Sequence, residues 1–269
     1  MSEPLPLDLT AALATTAARR GHIGDPAYYF TETTSTNDVA ARYAERGARE
    51  GTTVIAGAQT CGRGRLGREW YSPPGAGLYL SVVIRNERVA PFLTLAGGVA
   101  VATGIRKATG LPLEIKWPND VVTMTSSGPA PRRKIAGILA EGSTSTDGLQ
   151  FVVLGMGINL SPAAYPPVLQ DRASSIAVEL GRDVEAGPVL AETLAALSAE
   201  LAPLGRGDRT GLLTRWRSLA PFATGATVEC DSPRGRIRGV TAGIADDGAL
   251  LVKVGEAIER IVAGEVVWK

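Results

Sequence analysis

Gly62-Arg63-Gly64-Arg65-Leu66-Gly67-Arg68, followed by Glu69-Trp70, is the stretch around which the rest of the chain makes sense. Its glycines let backbone amides approach an anion closely, and three arginines within six residues supply permanent cations suited to phosphate. The motif lies in residues 57–77, a run dominated by Gly, Arg and Pro that reads as one long loop. Loops of that length inside compact domains are uncommon and often functional. So many like charges on a glycine-rich loop predict a mobile segment that an anionic ligand orders. Alone, the motif also fits a solvated basic loop or one that touches nucleic acid.

Upstream of the loop, Ser35-Thr36-Asn37-Asp38 supplies helix-starting residues. Val39, Ala40, Tyr43 and Ala44 follow at helical spacing, and Gly47 can close the helix. Residues 52–56 read as a strand and residues 9–19 as a short helix. Downstream, strands are expected at 78–84, 113–117, 134–141 and 151–158, with an Ala- and Gly-rich helix at 92–109 suited to close packing. A Ser/Gly/Pro-rich turn is expected at 126–131 and a Pro-containing loop at 161–172. Helical patterns follow at 175–180, 189–201 and 212–219. From Thr224 the texture changes to short β-like runs at 227–230, 237–244, 249–254 and 259–262, punctuated by Gly and Asp, which predicts a small C-terminal β-barrel.

Three further segments carry chemistry. In Lys116-Trp117-Pro118-Asn119-Asp120 a strand runs into Pro, delivering Asn119 and Asp120 at a strand end, where Asp120 can hold magnesium or a water near phosphate. An Asn–Asp turn without a ligand fits as well. In Lys134-Ile135-Ala136-Gly137-Ile138-Leu139-Ala140-Glu141, strict alternation places Ile135, Gly137 and Leu139 on one face and Lys134, Ala136 and Ile138 on the other. Lys134 begins an apolar strand, so it either meets an anion or reaches back to water. Gly155-Met156-Gly157-Ile158-Asn159 has two glycines at alternate strand positions, as expected where something flat comes close, or at a bulge.

Bulk properties narrow the classes. With 269 residues, 45% hydrophobic and 20% charged, the chain reads as an ordinary globular protein with room for a sizeable core. The formal net charge of +1 speaks against a strong global field for nucleic acid or acidic membranes, so any anion site is local. No run of about 18 apolar residues predicts a membrane span, and the first 20 residues lack a secretory pattern. The two cysteines, Cys61 and Cys230, have no paired spacing, which points to a reducing cytosol. His22 is the only histidine, so His-based nucleophilic catalysis and His-ligated metal are not expected.

Taken together and in order, these segments resemble the catalytic domain of biotin protein ligases, also called biotin–[acetyl-CoA-carboxylase] ligases or holocarboxylase synthetases. The matching pieces are Ser35-Thr36-Asn37, Gln59 with the 62–68 loop and Trp70, then 116–120, 134–141 and 155–159. The resemblance implies an α+β fold, a mixed β-sheet with flanking helices like that of class II aminoacyl-tRNA synthetases, over residues 1–223. It also implies an SH3-like β-barrel over 224–269. Only about 25 to 30 residues precede the motifs, so the N-terminal DNA-binding domain of some members is not expected, and neither is a DNA partner.

The implied activity is formation of biotinyl-5′-AMP from biotin and ATP with Mg2+, then transfer to a lysine of a biotin carboxyl carrier domain of acyl-CoA or pyruvate carboxylases. Biotin contacts are implied for Ser35, Thr36, Asn37, Gln59, Gly62, Arg63, Gly64, Arg65, Lys134, Gly137 and Gly155. Nucleotide contacts are implied for Arg65, Arg68, Trp70, Asn119, Lys134 and Asn159. Lys134, Arg63, Arg65 and Asp120 are the expected catalytic set, with Asp120 a magnesium ligand or a base. Neutral polar groups suit the uncharged biotin urea. A cytoplasmic monomer, or a weak ligand-dependent dimer, is the expected form. Lys269 falls where some members carry an arginine. A lipoate protein ligase of the same fold, or a non-catalytic biotin-sensing or nucleic-acid-binding module, are the alternatives.

Overall fold

Two sheets and six α-helices make up the structure, a computed structural model that describes residues 2–124, 132–146, 148–232 and 235–268. The first sheet has seven strands: β1 (Ala27–Phe30), β2 (Thr53–Ala56), β3 (Gly77–Ile84), β4 (Leu113–Lys116), β5 (Asp120–Thr123), β6 (Lys134–Ser145) and β7 (Gly148–Asn159). Their order is β1-β2-β3-β7-β6-β5-β4. Only β1 and β2 pair in parallel, so the sheet is mixed. The second sheet is antiparallel, with β8 (Thr224–Ser232), β9 (Gly235–Ile244), β10 (Leu250–Val254), β11 (Ala257–Ile261) and β12 (Val266–Trp268) in the order β11-β10-β9-β8-β12.

The helices divide unequally between the two faces of the large sheet. α1 (Leu7–Arg20), α3 (Leu93–Thr109), α5 (Ala186–Gly205) and α6 (Thr210–Leu219) build one side. Glycines in α3 allow the close packing its composition predicted. A Cβ at Gly104 would come within 2.5 Å of the Thr193 Cα in α5, and one at Gly97 within 3.0 Å of Ile138. On the other face α2 (Thr36–Glu45) packs Val39, Ala40 and Ala44 against Val54, Val83, Phe151 and Val153. It covers only one end of that face, leaving a cleft over the rest. β7 is buried from Phe151 onward almost throughout because both of its faces are covered.

The small sheet docks beside the open end. Trp117 Nε1 donates to the Gly248 carbonyl at 3.0 Å, and Arg217 donates to the Ile244 carbonyl at 3.1 Å.

Most expected elements are present, with ends moved by a few residues. α5 runs farther than expected, to Gly205, with Pro203 in its last turn, and α4 (Ile176–Leu180) occupies the expected place. Three strands were not anticipated. β1 is four residues long, β5 follows β4 through the three-residue turn at 117–119, and β12 adds three residues after the last expected run. The expected turn at 126–131 and Lys269 lie outside the described residues. Among the described residues no helix is long and apolar enough to cross a membrane.

Candidate active site

One transverse row of paired residues crosses all seven strands: Phe30, Ala56, Tyr79, Gly157, Gly137, Asp120 and Lys116. Residues paired across neighbouring strands share a face. Gly155 pairs with Ser81 and Leu139 in the next row on that face. These rows floor a cleft of about 1490 Å³ roofed by the 62–70 loop, the 164–173 segment and the edge of the small sheet.

Lys134 corrects the alternation reading. Val121 pairs with Ala136 but Val122 pairs with Lys134, so Ile135 is the extra residue of a β-bulge. The bulge turns Lys134 onto the face of Gly137, away from Ala136 and Ile138. A Cβ at Gly137 would come within 3.1 Å of the Lys134 Nζ. The ammonium has an internal counter-ion as well: it sits 2.6 Å from Asp120 Oδ1.

A flat group does lie over one of the two alternate glycines, Gly157, and over its cross-strand partner Gly137: it is Trp70. A Cβ at Gly157 would lie 2.5 Å from its Nε1, and one at Gly137 would lie 2.8 Å from its Cζ3. Lys134 Nζ stands 5.0 Å from the indole centroid, a cation–π distance. The indole N–H is buried without an acceptor among the described residues, which makes it a donor open to an incoming ligand.

A continuous polar chain borders this floor. Gln59 Oε1 accepts from the Thr36 backbone N–H at 2.8 Å and from the Thr36 hydroxyl at 3.2 Å. Gln59 Nε2 donates to Ser72 Oγ, whose hydroxyl donates to the Trp70 carbonyl, each at 2.9 Å. Ser81 Oγ lies 2.8 Å from the Thr36 hydroxyl and 2.6 Å from Asn37 Oδ1, while Asn37 Nδ2 donates to Glu141 at 2.5 Å. Ser35 occupies the N-cap of α2 without a side-chain capping bond, and its residue lines the cleft. Gly155 leaves room for Asn37, whose oxygen would collide with a Cβ there. Gly62 likewise leaves room for the Trp70 carbonyl and the Ser72 hydroxyl.

The arginine loop is folded rather than splayed. Arg63 is ion-paired to Asp38 and, at 2.8 Å, to Glu141. Burial acts to lower its pKa, but the bonds to Glu141 and Asp38 outweigh that, and the net shift is upward. Arg68 meets Glu265 of the small sheet's edge at 2.6 Å. Arg65 is half-buried and reaches Asn119 Oδ1 through a long hydrogen bond of 3.5 Å. Burial pulls its guanidinium below the ordinary range, opposed by Asp120. Gly64 donates its N–H to the Arg68 carbonyl, closing the turn. These carboxylates neutralise much of the loop's like charge.

Asn119 and Asn159 serve the backbone. Asn119 Nδ2 donates to the Ile138 carbonyl at 2.9 Å, and Asn159 Nδ2 to the Ser174 carbonyl at 2.9 Å. Asn159, on β7, thereby fixes the segment beside Lys134, whose carbonyl it also reaches at 3.4 Å. Magnesium finds a poor protein donor set: Asp120 is committed to Lys134, and among the described residues no group of three His, Cys, Asp or Glu side chains converges. The described residues do not form a metal site on their own.

The structure thus brings together nearly all the residues picked from the sequence. Residues it adds are Ser81, Ser72, Asp38, Glu141 and Lys116. Ser81 carried a weak signal, a hydroxyl inside an otherwise apolar strand.

Comparison with known proteins follows the same lines. Residues 28–159 match the Biotin/lipoate A/B protein ligase family, and residues 227–268 match the Biotin protein ligase C terminal domain. The biotin–[acetyl-CoA-carboxylase] ligase of Mycobacterium tuberculosis is 33% identical over 246 residues, covering 88% of this chain and 86% of that one. The enzyme of that name from Paracoccus denitrificans is 33% identical over 248 residues, covering 87% and 97%. The bifunctional ligase/repressor BirA of Bacillus subtilis is 32% identical over 249 residues, covering 91% and 74%. A solved structure of the biotin protein ligase from Aquifex aeolicus in complex with biotin and ATP superposes with a TM-score of 0.75 at 29% identity, covering 90% of this chain and 98% of that one.

Proposed function

This chain belongs to the biotin protein ligase family, and from that premise we infer that it acts as a biotin–[acetyl-CoA-carboxylase] ligase. The observation that carries the site assignment is the bulge that sets Lys134 on the glycine floor beneath the arginine loop.

The reaction runs in two steps. The biotin carboxylate oxygen attacks the α-phosphorus of ATP, the bond to the bridging oxygen breaks, and pyrophosphate leaves. The ε-amine of a carrier lysine then attacks the acyl carbon of biotinyl-5′-AMP, loses a proton, and AMP departs. Lys134 neutralises the charge that grows on the α-phosphoryl oxygens, with Asp120 holding the ammonium in position beforehand. The neutral groups of Ser35, Thr36, Asn37 and Gln59 suit the biotin urea, and Gly137, Gly155 and Gly157 let the ligand lie against the sheet. Trp70, whose indole N–H has no acceptor among the described residues, moves off the floor to pack on the ligand. Arg63, Arg65 and Arg68 trade carboxylates for the adenylate and shield the anhydride from water. Asn119 and Asn159 keep the phosphate-side backbone in place. Magnesium arrives with the triphosphate.

The acceptor we propose is a biotin carboxyl carrier domain of an acyl-CoA or pyruvate carboxylase, met in the cytoplasm by a monomer or a weak ligand-dependent dimer. Incubation of the protein, biotin and ATP with such a domain, followed by mass spectrometry, tests this reading. Biotin on a single carrier lysine is expected; lipoate attached instead, or no attachment, overturns it.

A further inference from the structure

We infer that Lys116 is an additional substrate-binding residue, seating the pyrophosphate that leaves in the first step. The inference rests on the ligase reading and deepens it.

Lys116 ends the row that runs from the glycine floor through Asp120. Adjacent strands lie about 4.8 Å apart, so its backbone stands roughly 10 Å beyond Gly137 along the floor. That places it on the far side of Asp120 from the β7 glycine, where a chain of phosphates anchored at Lys134 would extend. The side chain lines the cleft. Its ammonium faces the Trp268 ring at 6.0 Å, from the edge of the small sheet. Among the described residues no carboxylate lies within ion-pair distance of it. Asp120 is bound to Lys134, Glu265 to Arg68, and Glu114 to Arg132. Burial depresses the Lys116 pKa, Asp120 and Glu265 act against that, and Lys134 and Arg132 add to it.

A mostly buried ammonium without a bonded carboxylate is costly unless a ligand anion completes it. The cleft's Asp120, Glu114 and Glu265 are taken up by Lys134, Arg132 and Arg68. Arg65 and Arg172, beside Glu69 and Asp171, line it without an ion pair among the described residues, so several cations can meet a polyanion there. The aromatic roof of Trp268 holds the ammonium by its ring face while leaving its N–H donors free for phosphate oxygens.

The test is biotin-dependent ATP–pyrophosphate exchange by the full chain, read as separate KM values for pyrophosphate and for biotin. Lys116→Gln is expected to raise the pyrophosphate KM about ten- to hundredfold, the loss typical of a charged hydrogen bond, while the biotin KM moves less than about twofold. Lys116→Arg restores most of the pyrophosphate affinity. Lys253→Gln, on the exposed side of β10, changes neither. Should Lys116→Gln fail to fold, Lys116→Met, which keeps the packing of the stem, carries the same measurement. An unchanged pyrophosphate KM in a folded variant, with exchange intact in the unaltered protein, overturns the inference alone. Absence of exchange in the unaltered protein overturns the ligase reading and this inference with it.

Discussion

Lys134 and Gly137 stand three residues apart on one strand yet face the same side of the sheet. In an unbroken strand that separation puts side chains on opposite faces. The bulge at Ile135 reverses the parity and delivers a cation onto a floor of glycines. Lys134→Ala is therefore expected to lower adenylate formation about a hundred- to thousandfold, the scale for removing one charge-stabilising donor. Circular dichroism and the melting curve should change little, since the ammonium is partly exposed. Near-normal exchange by a folded variant would remove Lys134 from the mechanism.

The floor itself can be tested by adding single methyl groups. Gly157→Ala places a Cβ against the Trp70 indole, whereas Gly142→Ala on β6 meets only ordinary contact, 3.5 Å from Leu149. The first substitution is expected to weaken biotin binding roughly ten- to hundredfold by calorimetry, in line with overpacking costs of about 1–3 kcal/mol. The second should leave binding as it was. Equal affinities for both variants would mean that the ligand does not lie over Gly157.

How much of this was legible beforehand depended on the kind of signal. The loop, the helix start at Ser35 and the paired glycines announced themselves through residue types with few other uses. β1 and β5 did not: four residues carry too little periodicity, and β5 begins with the Asp of an Asn-Asp pair that also marks a turn. The bulge at Ile135 was invisible because nothing in Lys-Ile-Ala-Gly signals an extra residue; it is set by pairing with Val121 and Val122. The partners of Arg63, Asp38 and Glu141, lie 25 and 78 residues away, and only folding brings them together.

Those ion pairs make the loop's accessibility measurable. Limited trypsinolysis at Arg63, Arg65 and Arg68 should be slow in the unaltered protein. It should speed up in Arg63→Ala, where Asp38 and Glu141 no longer hold the loop, and slow further with biotinyl-5′-AMP bound. Identical cleavage rates with and without the adenylate would contradict a closing role.

The two thiols should differ sharply. Cys61 is exposed, whereas Cys230 is buried and its burial raises its pKa. A thiolate is the reactive form, and raising a thiol's pKa reduces its thiolate fraction at any pH below that value. At pH 8 a disulfide reagent should modify Cys61 rapidly and Cys230 only on unfolding. Cys61→Ser should abolish the fast phase; a surviving fast phase would place Cys230 nearer solvent than the structure does.

The central claim is that one face of one sheet joins biotin to AMP, and detection of the intermediate tests it most directly. Purified protein mixed with biotin and ATP, with no carrier added, should accumulate biotinyl-5′-AMP on the enzyme, with pyrophosphate released in equal amount. Folded protein that yields no adenylate from biotin, or yields one only from lipoate, would contradict the account.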